Sequence, residues 1–288
     1  MKKLLISAWA ITRRVRFAII LRIGVAIAIM PISIIGCSLQ ENTDTQATTN
    51  KTGTLALVAN GEDFIRQGFV SKDGWQINFD HAYVTLNQVI AYSTEPPFDS
   101  AGETKLKAKQ TVSLIDIPTT VDLAEGEEDA EPILVTQTDA PVGKYNALGW
   151  KVVSAQEGST QSNSIVLEGK ASKDDREIEF TIGFDRELEY LCGEYVGEDR
   201  KGIVQPGNMA QIETTFHFDH IFGDNSLPVE DALNQEAIGF EPLASLAQNE
   251  RLKVNQADLA QKLNSEEYEK LQQAISGLGH VGEGHCRS

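Results

Sequence analysis

The chain has 288 residues, of which 25 are basic and 42 acidic, giving a formal charge of −17. That acidity argues against nucleic acid as a partner, since such binding is driven by Lys and Arg contacts to phosphate; solubility, cation attraction and a saline habitat all fit it. With 41% hydrophobic residues the chain is long enough for one large domain or two small ones with a sizeable core.

The N-terminal segment carries Lys2, Lys3, Arg13, Arg14, Arg16 and Arg22 and no acidic residue, and an apolar run from Ile23 to Ile35 follows. A basic region, a short apolar region and a small residue before a cut are the order of a secretory signal. Thirteen residues interrupted by Pro31 and Ser33 are too few to span a bilayer comfortably, and no later segment is apolar enough. Ile34-Ile35-Gly36-Cys37 resembles the lipobox of bacterial lipoproteins. The resemblance implies a signal peptide over 1–36 and lipidation of Cys37. It also implies a domain anchored to a bacterial membrane outside the cytoplasm, at the periplasmic face or the cell surface, each buried methylene of the acyl chains adding about 0.8 kcal/mol. An uncleaved anchor, or a plain signal with an incidental Cys37, are the alternatives. Thr12-Arg13-Arg14-Val15-Arg16-Phe17 also approaches a twin-arginine export signal, with its phenylalanine one place late.

Removing residues 1–36 takes away six of the 25 basic residues and none of the 42 acidic ones, which moves the charge from −17 to −23. If Cys37 carries lipid, Cys192 and Cys286 remain, and in an oxidising compartment the default for two such cysteines is one disulfide. It would close a loop of about 94 residues and contribute about 4 kcal/mol in the chain-entropy model.

Residues 37–53 have almost no apolar content and read as a disordered tether. From Thr54 to about Asp224 strand signals dominate. The clearest is 177–185, where Ile178, Phe180, Ile182 and Phe184 alternate with polar or small residues, the mark of one buried and one wet face. Residues 164–169 join it through KASKDDR as a hairpin with a slightly long loop. Further strands are expected at 54–59, 75–80, 83–92, 111–117, 133–137, 145–154 and 210–218. Short strands without alternating helices predict a mainly β fold, an antiparallel β-sandwich over 54–224. The acidic run AEGEEDAE, 124–131, reads as a solvated loop without EF-hand spacing. Residues 225–288 read as a helical C-terminal extension packed on the sandwich, ending in a His/Cys tail. One helix is capped by Asn255, a second by Ser265 with Tyr268, Leu271 and Ile275 on one face, and Gly277 stops it.

Three landmarks occur together: AYVTLNQVIAY, then TVDLAEG, then APVGKYNALGWKV leading to a strand ending TIGFD. They resemble an uncharacterised family of secreted bacterial domains with a prealbumin-like β-sandwich, whose members often follow lipobox signals. The resemblance covers about a third of the chain and implies the fold only; it carries no activity to any residue.

All five histidines lie in three clusters: Asp80-His81, His217-Phe218-Asp219-His220, and His280 to His285 with Glu283 between them. The tripeptide Phe-Asp-His occurs twice, at 79–81 and 218–220, each time at a predicted strand end, so both could reach one rim of the sandwich. Neutral imidazole is the commonest ligand for zinc and copper, and three or four such donors complete a site. The expected metal set is His217, His220, His280 and His285, with His81, Asp80, Asp219 and Glu283 in direct or supporting contact. In a regular strand His217 and His220 face opposite ways, so the strand must end or bulge near Phe218 for both to bind. A Cys192–Cys286 disulfide would pin the tail as a support for the site.

A zinc or copper ion for storage, sensing or delivery is therefore expected and no organic cofactor, since no phosphate loop, dinucleotide fingerprint, nucleophile elbow or His-Glu-x-x-His helix occurs. Structural histidines in a non-catalytic module that binds an envelope protein or polysaccharide are the alternative, because Asp-His pairs at strand ends also serve as satisfied polar corners. A hydrolase would need an open metal position with Glu283 as base. Trp75 and Trp150 read as core residues rather than sugar platforms.

Overall fold

The structure, a computed structural model, describes residues 51–193, 202–282 and 284–288, with the backbone only at 284 and 285. The predicted signal peptide, Cys37, the tether up to residue 50, Glu283 and the His285 side chain lie outside the described residues. In chain order, β1 (Thr52–Asn60), α1 (Glu62–Gln67) and β2 (Phe69–Val70) lead into β3 (Gln76–Thr94). Then come β4 (Ala108–Ile115), β5 (Thr119–Asp122), β6 (Ile133–Pro141), β7 (Gly143–Lys144) and β8 (Ala147–Val152). The strands β9 (Ile165–Lys173), β10 (Arg176–Phe184), β11 (Leu188–Cys192), β12 (Ile203–Val204) and β13 (Met209–Phe216) follow. The short helices α2 (Asp219–Phe222), α3 (Ala232–Glu236) and α4 (Glu241–Ala244) precede β14 (Arg251–Asn255), α5 (Gln256–Lys262) and α6 (Ser265–Ser276). A hairpin of β15 (Gly279–Val281) and β16 (Gly284–Arg287) completes the described chain.

The fold is mainly β, a sandwich with helices against it, as the strand signals predicted. Fourteen strands form one continuous sheet whose main path runs β14-β10-β9-β3-β8-β11-β16-β15-β13-β1-β6, with β2, β4 and β5 on β3; β7 and β12 pair apart. The pairing is mixed rather than purely antiparallel. β1 lies parallel to β13, and β10 parallel to β14. Both exceptions join strands far apart in sequence, which no hairpin turn constrains to run antiparallel.

Two predicted strands, 75–80 and 83–92, are one strand of 19 residues. It bends instead of breaking: the register shifts at Phe79/His81 against β9 and at Asn87/Ile90 against β8, as β-bulges do. Gly169 allows the first of these, since a Cβ there would run into the Asn78 carbonyl. The expected hairpin is present, but β9 and β10 extend through most of KASKDDR and pair as far as Lys173 with Arg176. The alternating side chains Ile178, Phe180, Ile182 and Phe184 are all buried. Trp75 and Trp150 are core residues, each 1% exposed. Side chains of this size each stabilise the fold by about 1.5–3 kcal/mol when buried.

The predicted helical extension holds three strands as well as helices. Asn255 caps α5 in a capping box with Asp258. For α6 the cap is Asn264, one residue earlier than expected, in a box with Glu267, and Ser265 is the first helical residue. Asn is at least as good a cap as Ser, and here its side chain takes the Glu267 N–H at 2.9 Å. Leu271 and Ile275 are buried, Tyr268 partly so, and Gly277 ends the helix.

The C-terminal hairpin is the seam of the sheet. β15 pairs with β13 through Thr215↔His280 and Phe216↔Gly279, and β16 pairs with β11 through Leu191↔Arg287 and Cys192↔Cys286. Cys192 and Cys286, directly opposite in register, form the expected disulfide. The glycine-rich tail thus joins the β13 half of the sheet to the β11 half, and it carries histidine into the join.

Candidate metal centre

β13 is buried along its second half, with Ile212, Thr214, Thr215 and Phe216 all inaccessible, and it ends at Phe216. Immediately after, the His217 N–H donates to the Leu278 carbonyl at 3.0 Å, tying the strand end to the segment before β15. The chain then turns into the single-turn helix α2. Phe218, Ile221 and Phe222 face the core, which leaves His217, Asp219 and His220 together on the other side. Gly223 stops the turn with φ 68°, and a Cβ there would press on Asn234 and Lys72. Asn234, itself buried, fastens the exit: its side chain accepts from Asp224 N at 2.8 Å and donates to the carbonyls of Asp224, Leu227 and Pro228.

One donor atom from each of His217, Asp219 and His220 lies within 4.8 Å of the others. The His280 ring stands beside this group from the seam, its centroid 4.3 Å from that of His217 and 5.3 Å from that of His220; the His217 and His220 centroids are 5.7 Å apart. His280 Nε2 faces the Gly277 carbonyl at 3.1 Å. A neutral ring in that contact donates from Nε2 and keeps its lone pair on Nδ1, which is the way backbone carbonyls orient metal-binding histidines. A tetrahedral ion with bonds near 2.1 Å sets its donors about 3.4 Å apart.

Burial dominates the electrostatics. It pushes the His220 imidazole below its ordinary pKa, against the upward pull of Asp219, while nearby His217 lowers it further. It also pushes the Asp219 carboxyl up, against the pull of His220. Both groups are thus biased toward their neutral forms, and Asp219 Oδ1 is buried without a hydrogen bond among the described residues. Neutral imidazoles are the form a cation binds, whereas a cation taking Asp219 as a ligand would displace the proton that burial favours there.

Glu62 is the member the sequence did not suggest. Its Oε1 lies 3.5 Å from His217 Nε2, with both side chains largely buried. Its backbone is held by the Asn60 side chain, which accepts from Glu62 N at 3.0 Å. Asn60 Nδ2 in turn donates to the buried Glu213 at 3.0 Å, and Thr215 Oγ1 meets the same carboxylate at 3.2 Å while accepting from Gly282 N at 3.1 Å. Gly61-Glu62-Asp63 reads as an ordinary acidic helix start, so no local signal points to this role. A cleft of about 400 Å³ opens beside the group, lined by Tyr190, His220, Glu236, Gly277, His280 and Cys286 among others.

Of the other expected residues, His81 and Asp80 do not join the group. Their tripeptide, Phe79-Asp80-His81, sits inside β3 instead of at a strand end. His81 Nδ1 binds Asp122 Oδ2 at 2.7 Å, its ring stacks on Tyr83 with centroids 5.0 Å apart, and Asp80 is exposed. Two identical tripeptides thus take opposite roles, because one continues a strand and the other forms a helical turn. The backbone of His285 is paired with His280 across the hairpin. The acidic run 124–131 forms an exposed turn whose carbonyls, at Glu125 and Ala130, are held by Arg66. The chain matches no protein-family model, no curated protein and no solved structure, so the resemblance to lipoproteins and to prealbumin-like domains rests on the sequence landmarks alone.

Proposed function

We propose that this protein is a membrane-tethered, extracytoplasmic lipoprotein that binds a transition metal, zinc or copper, through His217, His220, His280 and Asp219, for storage, sensing or delivery. The observation that carries the reading is the convergence of His217, Asp219 and His220 donors within 4.8 Å, with a third imidazole 4.3 Å from the first. The supporting shell matches what metal sites use: a backbone carbonyl on His280 and a carboxylate near His217. The lipobox-like sequence supports the tether, and the cysteine pair fits an oxidising compartment. A ligand set of three imidazoles and one carboxylate is coordinatively complete, which favours holding an ion over hydrolysis.

Elemental analysis of the full-length protein purified without chelator tests this, together with thermal unfolding in the presence and absence of added Zn²⁺. One equivalent of bound metal is expected, and at 100 times Kd the ion adds about 2.7 kcal/mol of stability. Background metal content and an unmoved transition would overturn the reading.

The second reading, a structural or interaction module bound to an envelope partner, has one observation in its favour. Glu62 at 3.5 Å could balance a protonated His217 without any ion. In that case replacing His217 and His220 together leaves metal content at background and partner binding intact.

A further inference from the structure

We propose that the end of the sandwich from which the chain leads back to Cys37 is a membrane-resting surface. It lays Met209, Ile203 and Val142 into the headgroup region of an anionic bilayer and turns the histidine cluster toward the aqueous side. The inference rests on the lipid-tether part of the reading above and is independent of the metal.

Several segments meet where the described chain begins. The Lys51 carbonyl accepts from Val142 N at 2.8 Å, Thr52 pairs with Pro141, and the Thr52 carbonyl accepts from Gly207 N at 3.0 Å. Thr54 pairs with Met209 and donates its N–H to the Asn208 carbonyl at 2.9 Å. A Cβ on Gly53 would press on Val204 and on the carbonyls of Gln205 and Asn208, so the link from β12 to β13 lies against the start of β1. Through β7, Ile203 stands opposite Lys144.

Met209 is 60% exposed, Ile203 49% and Val142 37%. They rim one end of the molecule and do not share one sheet face: Met209 belongs to β13, whereas Ile203 lies on the β7–β12 ribbon and alternates with the buried Val204. A rigid protein partner would need one matching face, while a bilayer interface moulds to projecting side chains. Exposed lysines accompany them: Lys51, Lys144, and Lys107 and Lys109 beside Gln110, whose side chain reaches Gly143. Lys109 pairs with Glu95, and Asp139 is the carboxylate on these segments. Lysine stems lie along the interface with their charge at the phosphates, and anionic lipid attracts them. The remainder of an acidic chain is repelled by the same surface, which favours this end as the one that faces it.

Fourteen peptide steps lead from Cys37 to Lys51, a span of at most about 50 Å. A lipid on Cys37 would therefore hold this end at about millimolar effective concentration beside the bilayer, where contacts too weak to bind alone are engaged. From Met209 to Phe216 β13 runs about 23 Å away from it, and His217, Asp219 and His220 follow that far end. Val229 is also exposed, at 73%, but it precedes α3 near the histidines, so it should stay in water.

The acylated full-length protein is reconstituted into phosphatidylcholine–phosphatidylglycerol vesicles that carry nitroxide lipids. A fluorophore is attached to one of three replacements, Met209→Cys, Ile203→Cys or Val229→Cys; Cys192 and Cys286 are joined and do not react. Quenching at 209 and 203 is expected to be several-fold stronger than at 229. Lys51→Glu with Lys144→Glu, or vesicles of phosphatidylcholine alone, should bring it down toward the level at 229. Because the dye is itself apolar, hydrogen exchange on the unlabelled protein supplies a second measurement: backbone amides of 203–209 should slow on vesicles while those of 224–230 do not. Lipidated protein whose three positions quench alike, or whose 203–209 amides exchange at an unchanged rate, overturns this inference and leaves the tether standing. A mass for the N-terminal peptide that shows no acyl chain on Cys37 overturns the tether reading beneath it instead.

Discussion

The rings of His217 and His280 stand 4.3 Å apart, although one leaves the end of β13 and the other belongs to the hairpin that closes the seam. The metal reading requires both of them and His220 at once. H217A, H220A and H280A should each weaken Zn²⁺ binding about 100-fold or more, since losing a direct ligand costs at least as much as losing a supporting one. H81A should bind as wild type, because His81 is held by Asp122 on β3. Competition against a chromophoric chelator reads all four; an H81A loss equal to that of H217A would place the ion elsewhere.

Glu62 occupies the left-handed region, φ 62°, while its carboxylate points at His217. A non-glycine residue there costs about 1–2 kcal/mol, and such strain collects at sites that need it. E62Q should lower Zn²⁺ affinity about 10- to 100-fold through His217 alone. E62G relieves the backbone strain and gives up a helix-start charge of up to about 1 kcal/mol, so the metal-free protein should unfold within about 1 kcal/mol of wild type. If E62G lost affinity only in proportion to lost stability, Glu62 would be structural.

The seam depends on Gly279, where a Cβ would lie 2.7 Å from three atoms of the Tyr190 ring. Tyr190 cannot retreat, since it is buried against Trp150 with ring centroids 5.3 Å apart and donates its hydroxyl to the Ile275 carbonyl. G279A should therefore destabilise the protein by about 1–3 kcal/mol through overpacking. It should also shift His280, so Zn²⁺ affinity falls with His220 intact. Chemical denaturation and the same chelator competition check the two effects; an unchanged denaturation midpoint would show that the hairpin does not pack as described.

Much of the sheet was legible because period-two alternation needs only neighbours: Ile178, Phe180, Ile182 and Phe184 announce β10 without any knowledge of its partners. The trio His217, His220 and His280 was legible from histidine clustering, and the strand end after β13 was legible as a requirement of their geometry. What escaped was non-local. The parallel partner of β1, the carboxylate of Glu62 and the seam itself depend on segments far apart in sequence, and β15 and β16 are too short for a period to register. Gly279, within GLGHVGEGH, is there because a tyrosine ring leaves no room for a side chain, a constraint no local pattern shows.

His81 provides a test on the fold that no metal enters. Its Nδ1 lies 2.7 Å from Asp122 Oδ2, and that hydrogen bond raises the imidazole above its ordinary value of 6.5, with Glu168 and Asp80 adding to the pull. Because the folded value is raised, the pair stabilises the protein fully below the unfolded pKa, and the contribution fades as pH rises from about 6.5 through the folded value. The ring is nearly half exposed, so the effect on global stability is small and the titration itself is the sensitive measure. Followed by the ring-proton resonance, His81 should titrate above 6.5 in wild type and fall back toward it in D122N. Asp122 also accepts from the backbone N–H of Ala82 and of Ala124, so the amide in D122N preserves part of that corner. A wild-type midpoint at or below 6.5 would mean that the Asp122 contact is not formed in solution.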